Sequence, residues 1–101
     1  MKTNERVIFE TADVLVRQLS LEPLGSTPWH FHSEVVDHIY CLSGSIDVYC
    51  QNPDDHFPLK VGESCRVGIR RTHRVLNKNN ESAVYLLVQG VGKYDFNVID
   101  S

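Results

Sequence analysis

Three histidines and one aspartate have the residue types and the spacing of a metal site. His30 and His32 are separated by one residue, Asp37 follows five residues after His32, and His73 lies much further along the chain. Because residues i and i+2 of a strand point to the same face, His30 and His32 can direct both imidazoles to one point. Imidazoles and a carboxylate are suitable ligands for divalent Fe, Mn, Ni, Co or Zn. The pattern predicts a metal site, although a His-x-His pair alone is also common on surfaces and in buried polar networks.

The step from His32 to Asp37 requires a break in the strand. Five residues of continuous strand would place the two side chains on opposite faces. A turn at residues 33–35 between two strands removes this conflict, and His73 reaches the same cavity only through the fold. The sequence also leaves Glu34 open as an alternative fourth ligand, while His38 should point away from Asp37 if both lie on one strand.

The elements that carry these residues are short strands separated by turns rich in Gly, Pro and Asn. No window of eleven or more residues has apolar positions at a helical period. About nine or ten short antiparallel strands in 101 residues indicate one all-β domain, a sandwich or a barrel. Ser43 and Gly44 are typical of a hairpin turn, and Arg17, among apolar neighbours, is expected to point outward. The predicted strands cover residues 7–10, 12–21, 29–32, 38–42, 45–50, 57–61, 64–67, 73–76, 83–88 and 94–99.

Composition narrows the class of protein and its partners. Ten Lys and Arg against thirteen Asp and Glu give a formal charge of −3, which argues against a nucleic-acid partner. No apolar run is long enough to span a membrane, and residues 1–6 lack the apolar stretch of a signal peptide. Three cysteines without a C-x-x-C pair indicate buried thiols in a reducing compartment. We therefore expect a cytoplasmic protein.

Residues 25–44 resemble the first motif of the cupin superfamily. That motif has a glycine, His-x-His, a glutamate after three or four residues, and a glycine six residues later. Gly25, His30, His32 and Gly44 match it, and Asp37 takes the place of the glutamate. Because Asp is one methylene shorter, it must lie closer to the metal, or accept a hydrogen bond from a ligating histidine instead.

Residues 62–77 resemble the second cupin motif. Gly62, His73 and Asn77 match its glycine, histidine and asparagine. Its Pro-x-Gly turn is replaced by Gly68-Ile69-Arg70, so the turn before His73 is expected to be altered.

The resemblance implies one small jelly-roll β-barrel of the RmlC-like type over residues 1–101, and commonly a homodimer. It implies a divalent metal held by His30, His32, Asp37 and His73. It also implies an enzyme of dioxygenase, lyase, isomerase or cyclase type that acts on a small oxygenated molecule, with Asp37 as a labile ligand or a base. A non-catalytic ligand-binding or sensor cupin is the alternative.

Two further features suggest how a substrate would be recognised. Arg70, Arg71 and Arg74 form a basic cluster around His73, which fits either recognition of an anionic substrate or, more simply, a solvated rim. Trp29 precedes His30 and either packs in the core or caps the entrance of the cavity.

Overall fold

The computed structural model describes residues 3–99 and contains ten strands and no helix within that range. The number of strands confirms the predicted nine or ten. The expected domain of residues 1–101 has its first two and last two residues outside the described part. The strands are β1 (Thr3–Glu10), β2 (Val14–Leu21), β3 (His30–Phe31), β4 (Val36–Ser43), β5 (Ser45–Cys50), β6 (Asp55–Lys60), β7 (Ser64–Val67), β8 (His73–Leu76), β9 (Ala83–Gly90) and β10 (Asn97–Val98).

The strands form two five-stranded antiparallel sheets. One has the order β1-β2-β9-β4-β7 and the other the order β10-β3-β8-β5-β6. Their inner faces enclose the core, and each large aliphatic side chain buried there contributes roughly 1.5–3 kcal/mol. The core comprises Leu19, Leu21, Ile39, Cys41, Ile46, Val48, Cys50, Leu59, Val67, Val75, Ala83, Tyr85 and Leu87.

The turn at Gly44 connects the two sheets. Strand β4 pairs with β7 and β9, and β5 pairs with β6 and β8, so the two strands around Gly44 do not pair with each other. The prediction of a hairpin at Ser43 and Gly44 was therefore wrong. Gly44 has φ +73, and a Cβ at this residue would lie 3.2 Å from the Ser82 carbonyl oxygen. Glycine therefore permits a tight corner from one sheet to the other.

The inward row of β9 changes from apolar to polar along the strand. Ala83, Tyr85, Leu87 and Gln89 alternate inward and are all buried, as the two-residue period of a strand requires. Gln89 lies opposite Asp37 of β4. The interior is therefore an apolar core at one end of the sheet and a polar site at the other.

Asn77, the last residue of the second motif, is fully buried and joins three segments. Its side-chain amide donates hydrogen bonds to the carbonyls of Leu21, Glu22 and Glu81, at 3.2, 3.2 and 2.8 Å. These bonds hold the end of β2 against the loop that leads into β9.

Within residues 3–99 no helix has the length and apolar character needed to cross a membrane.

Candidate metal centre

The two sheets bring His30, His32, Asp37 and His73 together in the interior. His30 of β3 lies directly opposite His73 of β8 in one sheet, and Asp37 projects from β4 in the other. His32 follows β3, and a bend at residues 33–34 leads into β4, as the spacing required. All four are buried, with exposures of 1–5%. One nitrogen or oxygen atom from each lies within 4.8 Å of the others, close enough to surround one metal ion.

Each imidazole is oriented by a hydrogen bond to a backbone carbonyl. Because a carbonyl oxygen only accepts, each Nδ1 must carry the proton. The Nε2 atoms are therefore the ones that face the centre of the cluster. The donor and acceptor pairs are His30 with Pro28, His32 with Asp95 and His73 with Arg71, at 2.8, 2.7 and 2.8 Å.

Asp37 faces two of these Nε2 atoms. Its Oδ2 lies 2.8 Å from Nε2 of His73 and 3.2 Å from Nε2 of His32. A neutral imidazole with its proton on Nδ1 presents a lone pair at Nε2, and a carboxylate also presents lone pairs. These atoms repel one another unless a proton or a metal cation lies among them. The chemistry of this donor set therefore fits a divalent cation.

The protonation equilibria of the cluster differ from residue to residue. Burial, reinforced by the nearby His73, lowers the pKa of His30 to about 4. Burial also disfavours the charged form of His32, but the hydrogen bond and negative charge of Asp37 outweigh it and raise the pKa of His32. The pKa of Asp37 is well below its usual range, because His32 and His73 overcome the effect of burial. Asp37 therefore carries a negative charge near neutral pH.

Gln89 completes the site and escaped prediction from the sequence. It is fully buried, and its Nε2 donates to Oδ1 of Asp37 at 2.9 Å and lies 3.2 Å from Nε2 of His32. The predicted strand ended at residue 88, whereas β9 continues to Gly90. Extending the inward alternation by one more position would have found Gln89.

Arg17 points inward, so the outward orientation expected from its apolar neighbours was wrong. Its Nη2 donates to Oε1 of Gln89 at 2.6 Å, its Nη1 pairs with Glu5 at 2.8 Å, and its guanidinium lies 5.0 Å from the ring centre of Tyr94. Because Arg17 has only donors, it fixes the oxygen of the Gln89 amide towards itself and the NH₂ towards Asp37.

Residues 94–98 cover the cluster, which the sequence did not indicate. The Phe96 ring stacks on His30 with centroids 4.5 Å apart, and the Tyr94 ring lies 5.5 Å from that of His32. Strand β10 pairs with β3, and Asp95 accepts the backbone N–H of Ser33 at 2.8 Å. Aromatic rings therefore separate part of the cluster from solvent.

A model of the family described as the cupin domain matches residues 18–89. This match spans most of the chain and both motifs. The chain belongs to the cupin family. No curated protein matches this cupin.

Solved structures agree with this fold. An uncharacterized conserved protein with a double-stranded beta-helix domain from Klebsiella pneumoniae is 21% identical with a TM-score of 0.83, over 99% of this chain and 86% of that one. The polyketide cyclase RemF from Streptomyces resistomycificus is 21% identical with a TM-score of 0.78, over 98% and 72%. A recombinant oxalate oxidase in complex with glycolate is 15% identical with a TM-score of 0.82, over 96% and 54%. At these identities the likeness establishes the jelly-roll fold alone.

Other candidate residues lie outside the cluster of this cupin. The Glu34 side chain is exposed, and His38 lies on β4 next to Asp37 and is only partly buried, as the alternation predicts. Neither belongs to the group of converging donor atoms found within residues 3–99.

Trp29 and Arg70 line two other cavities. Trp29 shares a cavity of about 430 Å³ with Tyr49 and His56, and Arg70 shares one of about 400 Å³ with Arg66 and Arg71. None of the four cluster residues lines either cavity. A role for Trp29 and Arg70 in substrate binding stays a prediction.

The basic cluster of the sequence is divided in the structure. The Arg74 guanidinium lies over the rings of Trp29 and Tyr49, at 5.1 and 5.9 Å from their centres. Arg70 occupies the altered turn with φ +61, a left-handed conformation that costs a non-glycine residue about 1–2 kcal/mol. Its N–H donates to the His32 carbonyl at 2.7 Å. Arg70 itself, and not Gly68, therefore adopts the positive φ in this turn.

Proposed function

We propose that this cupin is a metal-dependent enzyme that acts on a small oxygenated molecule. His30, His32, Asp37 and His73 would hold a divalent Fe, Mn, Ni, Co or Zn ion. The proposal rests on the Nε2 atoms of three imidazoles and a buried carboxylate that converge within 4.8 Å, with every Nδ1 proton already given to a carbonyl. On a metal that accepts more than four ligands, such a set would leave room for substrate or water.

The residues around the metal have separate roles. A divalent metal here supplies a Lewis acid for a substrate oxygen, and iron in addition supplies redox chemistry with dioxygen. Asp37 is a weak base because its pKa is lowered, which favours a role as ligand over one as proton acceptor. Gln89, held by Arg17, orients the Asp37 carboxylate so that Oδ2 faces the imidazoles.

The cavity beside Phe96 is the proposed substrate site. It has a volume of about 400 Å³ and is lined by Arg17, Pro28, Tyr94 and Phe96, among others. None of the four cluster residues lines it, but the Phe96 ring both lines this cavity and stacks on His30, so a substrate would reach the cluster by displacing that ring. This volume suits a small organic molecule. A substrate there would meet aromatic walls and the phenol and guanidinium groups of Tyr94 and Arg17.

Elemental analysis of protein purified without a polyhistidine tag tests the metal site. We expect about one divalent metal per chain in the wild type and none in the double variant His30→Ala/His73→Ala. The matched control is His38→Ala/His56→Ala, which removes two histidines outside the cluster and should retain the metal. Reloading with each candidate metal is needed, because copper or nickel from the medium binds such sites strongly. A wild type that stays metal-free after reloading, or equal loss in the control, would refute the metal site.

Catalysis is tested separately from metal binding. Oxygen uptake after anaerobic loading with Fe²⁺, and turnover in a screen of small oxygenated molecules, should appear in the wild type and vanish in the double variant. Specific binding of a small molecule without turnover would instead support the alternative of a ligand-binding cupin.

We also propose that two copies pair through the free edge of β1. Among residues 3–99 this strand pairs with β2 alone, and its Val7, Ile8 and Phe9 are 46–56% exposed. Apolar edge strands are favourable sites for pairing with another chain, and a two-fold axis would join the β1-containing sheets of the two copies into one. Light scattering coupled to size exclusion should give a dimer for the wild type and a monomer for Ile8→Lys/Phe9→Lys. An unchanged mass would exclude this edge, and a monomeric wild type would exclude the dimer.

A further inference from the structure

Three arginines line a cavity that is separate from the metal cluster. The cavity has a volume of about 400 Å³ and forms where the turn after β5 meets the turn between β7 and β8. A hydrogen bond of 2.9 Å from the N–H of Gln51 to the Thr72 carbonyl joins the two turns. The arginines are Arg66, Arg70 and Arg71, and the other polar lining comes from Gln51, Asn52 and Thr72.

The positive charge of this cavity is not compensated by carboxylates. No Asp or Glu lines it, and among residues 3–99 none of the three guanidiniums forms an ion pair within 4.0 Å. Arg71 is instead held by neutral groups, since its Nη2 donates to the Pro53 carbonyl at 2.8 Å. This concentration of charge contrasts with a formal charge of −3 for the whole chain.

The backbone at Arg70 points to a role for its side chain. Arg70 has φ +61, a conformation that glycine adopts without strain. Its side chain is exposed, so burial of the side chain does not offset the strain. Residues in strained backbone conformations cluster at functional sites.

We propose that this arginine pocket, formed by Arg66, Arg70 and Arg71, binds the phosphate group of a small molecule. Guanidinium groups form paired hydrogen bonds with phosphate oxygens, and three of them carry more than enough positive charge to balance an anion of two charges. The amide and hydroxyl groups of Asn52 and Thr72 supply donors for the remaining oxygens. The volume leaves room for an organic part next to the phosphate.

The arginine pocket adjoins the segments that hold two residues of the metal cluster, His32 and His73. The N–H of Arg70 donates to the His32 carbonyl, and the Arg71 carbonyl accepts from Nδ1 of His73, but neither histidine lines the pocket. The proposal therefore does not depend on a bound metal, and phosphate should bind with or without prior treatment of the protein with a chelator.

Calorimetric titration with inorganic phosphate, phenyl phosphate and chloride at constant ionic strength tests the pocket. We expect both phosphates to bind at least tenfold more tightly than chloride, and ¹⁵N NMR to show shifts of the amides of residues 68–72. Tighter binding of phenyl phosphate would identify an esterified phosphate, and tighter binding of the inorganic ion a free phosphate. Binding no tighter than that of chloride would overturn the proposal.

The variants Arg70→Gly and Arg66→Gln should each weaken phosphate binding at least tenfold. Arg70→Gly is a sharp test, because glycine keeps the N–H to His32 and relieves the strain, so the unfolding midpoint should not fall. Arg6→Gln, at an exposed residue of β1, removes the same charge elsewhere and should change affinity less than twofold. Equal weakening in Arg6→Gln would indicate nonspecific attraction and would also overturn the proposal.

Discussion

Replacing Asp37 by alanine should weaken metal binding by more than tenfold while the fold survives. Asp37 is the one carboxylate among the four converging residues, and its Oδ2 lies 2.8 and 3.2 Å from the Nε2 atoms of His73 and His32. Its removal leaves three neutral donors and no negative charge to balance a divalent cation in a buried site. Competition for Co²⁺ against a chromophoric chelator measures the affinity, and circular dichroism monitors the fold.

Two further variants separate ligand loss from general damage. Asp37→Asn keeps the shape but not the charge and should also lose affinity. Asp47→Ala removes a carboxylate that likewise bonds a histidine, His56 at 2.6 Å, but lies outside the cluster, so it should bind Co²⁺ like the wild type. If Asp37→Ala bound Co²⁺ as tightly as the wild type, Asp37 would not be a ligand, and Glu34 or a water molecule would be the fourth ligand instead.

Acidification should weaken metal binding, by about tenfold per pH unit once the pH lies below the raised pKa of His32. Asp37 raises the pKa of His32, so the metal-free protein holds a proton on that imidazole as the pH falls. With Nδ1 already donating to the Asp95 carbonyl, this proton lies on Nε2, where the metal must bind. Protons therefore compete with the metal for Nε2 of His32. As the pH falls, the protonated, metal-free state is favoured and the metal affinity falls.

His30 should add no proton to this competition between pH 5 and pH 7, because burial lowers its pKa to about 4. Co²⁺ titrations at half-unit steps of pH give the slope. In Asp37→Asn the carboxylate charge that holds the His32 proton is gone, so the decline should begin at a lower pH. An affinity that stays flat from pH 7 to pH 5 in the wild type would contradict this account.

The strands and two of the cluster residues follow from local patterns, whereas Asp37 joins them only because the chain bends at residues 33–34. Alternation with a period of two marks β5 in the sequence, a continuous apolar run marks β9, and the i, i+2 spacing places His30 and His32 on one face. The place of His73 came from the resemblance of residues 62–77 to a cupin motif, since no local rule relates it to residues that precede it by forty positions. The corner at Gly44 was mistaken for a hairpin, because a glycine turn does not reveal whether its two strands pair or enter different sheets.

The partners of Asp37 and Arg17 depended on the tertiary structure. Gln89 is 52 positions from Asp37 in sequence, and only the register of β4 against β9 makes them neighbours. Arg17 has apolar neighbours in sequence, yet the fold supplies acceptors from Glu5 and Gln89, so the charge can point inward. Nη1 and Nη2 of Arg17 find acceptors, although its buried Nε has none within residues 3–99, and the local sequence does not show these partners.

The grouping of the basic residues also depended on the tertiary structure. Composition and order along the chain group Arg70, Arg71 and Arg74 around His73, but the structure joins Arg66 to the first two and turns Arg74 towards Trp29. The sequence by itself determined the all-β class, the approximate number of strands and the shared face of His30 and His32, because these depend on side-chain period and short spacing. Strand register alone decided which side chains meet across the sheets and which cavities they line. A register shift of one residue would move every side chain of a strand to the opposite face of its sheet.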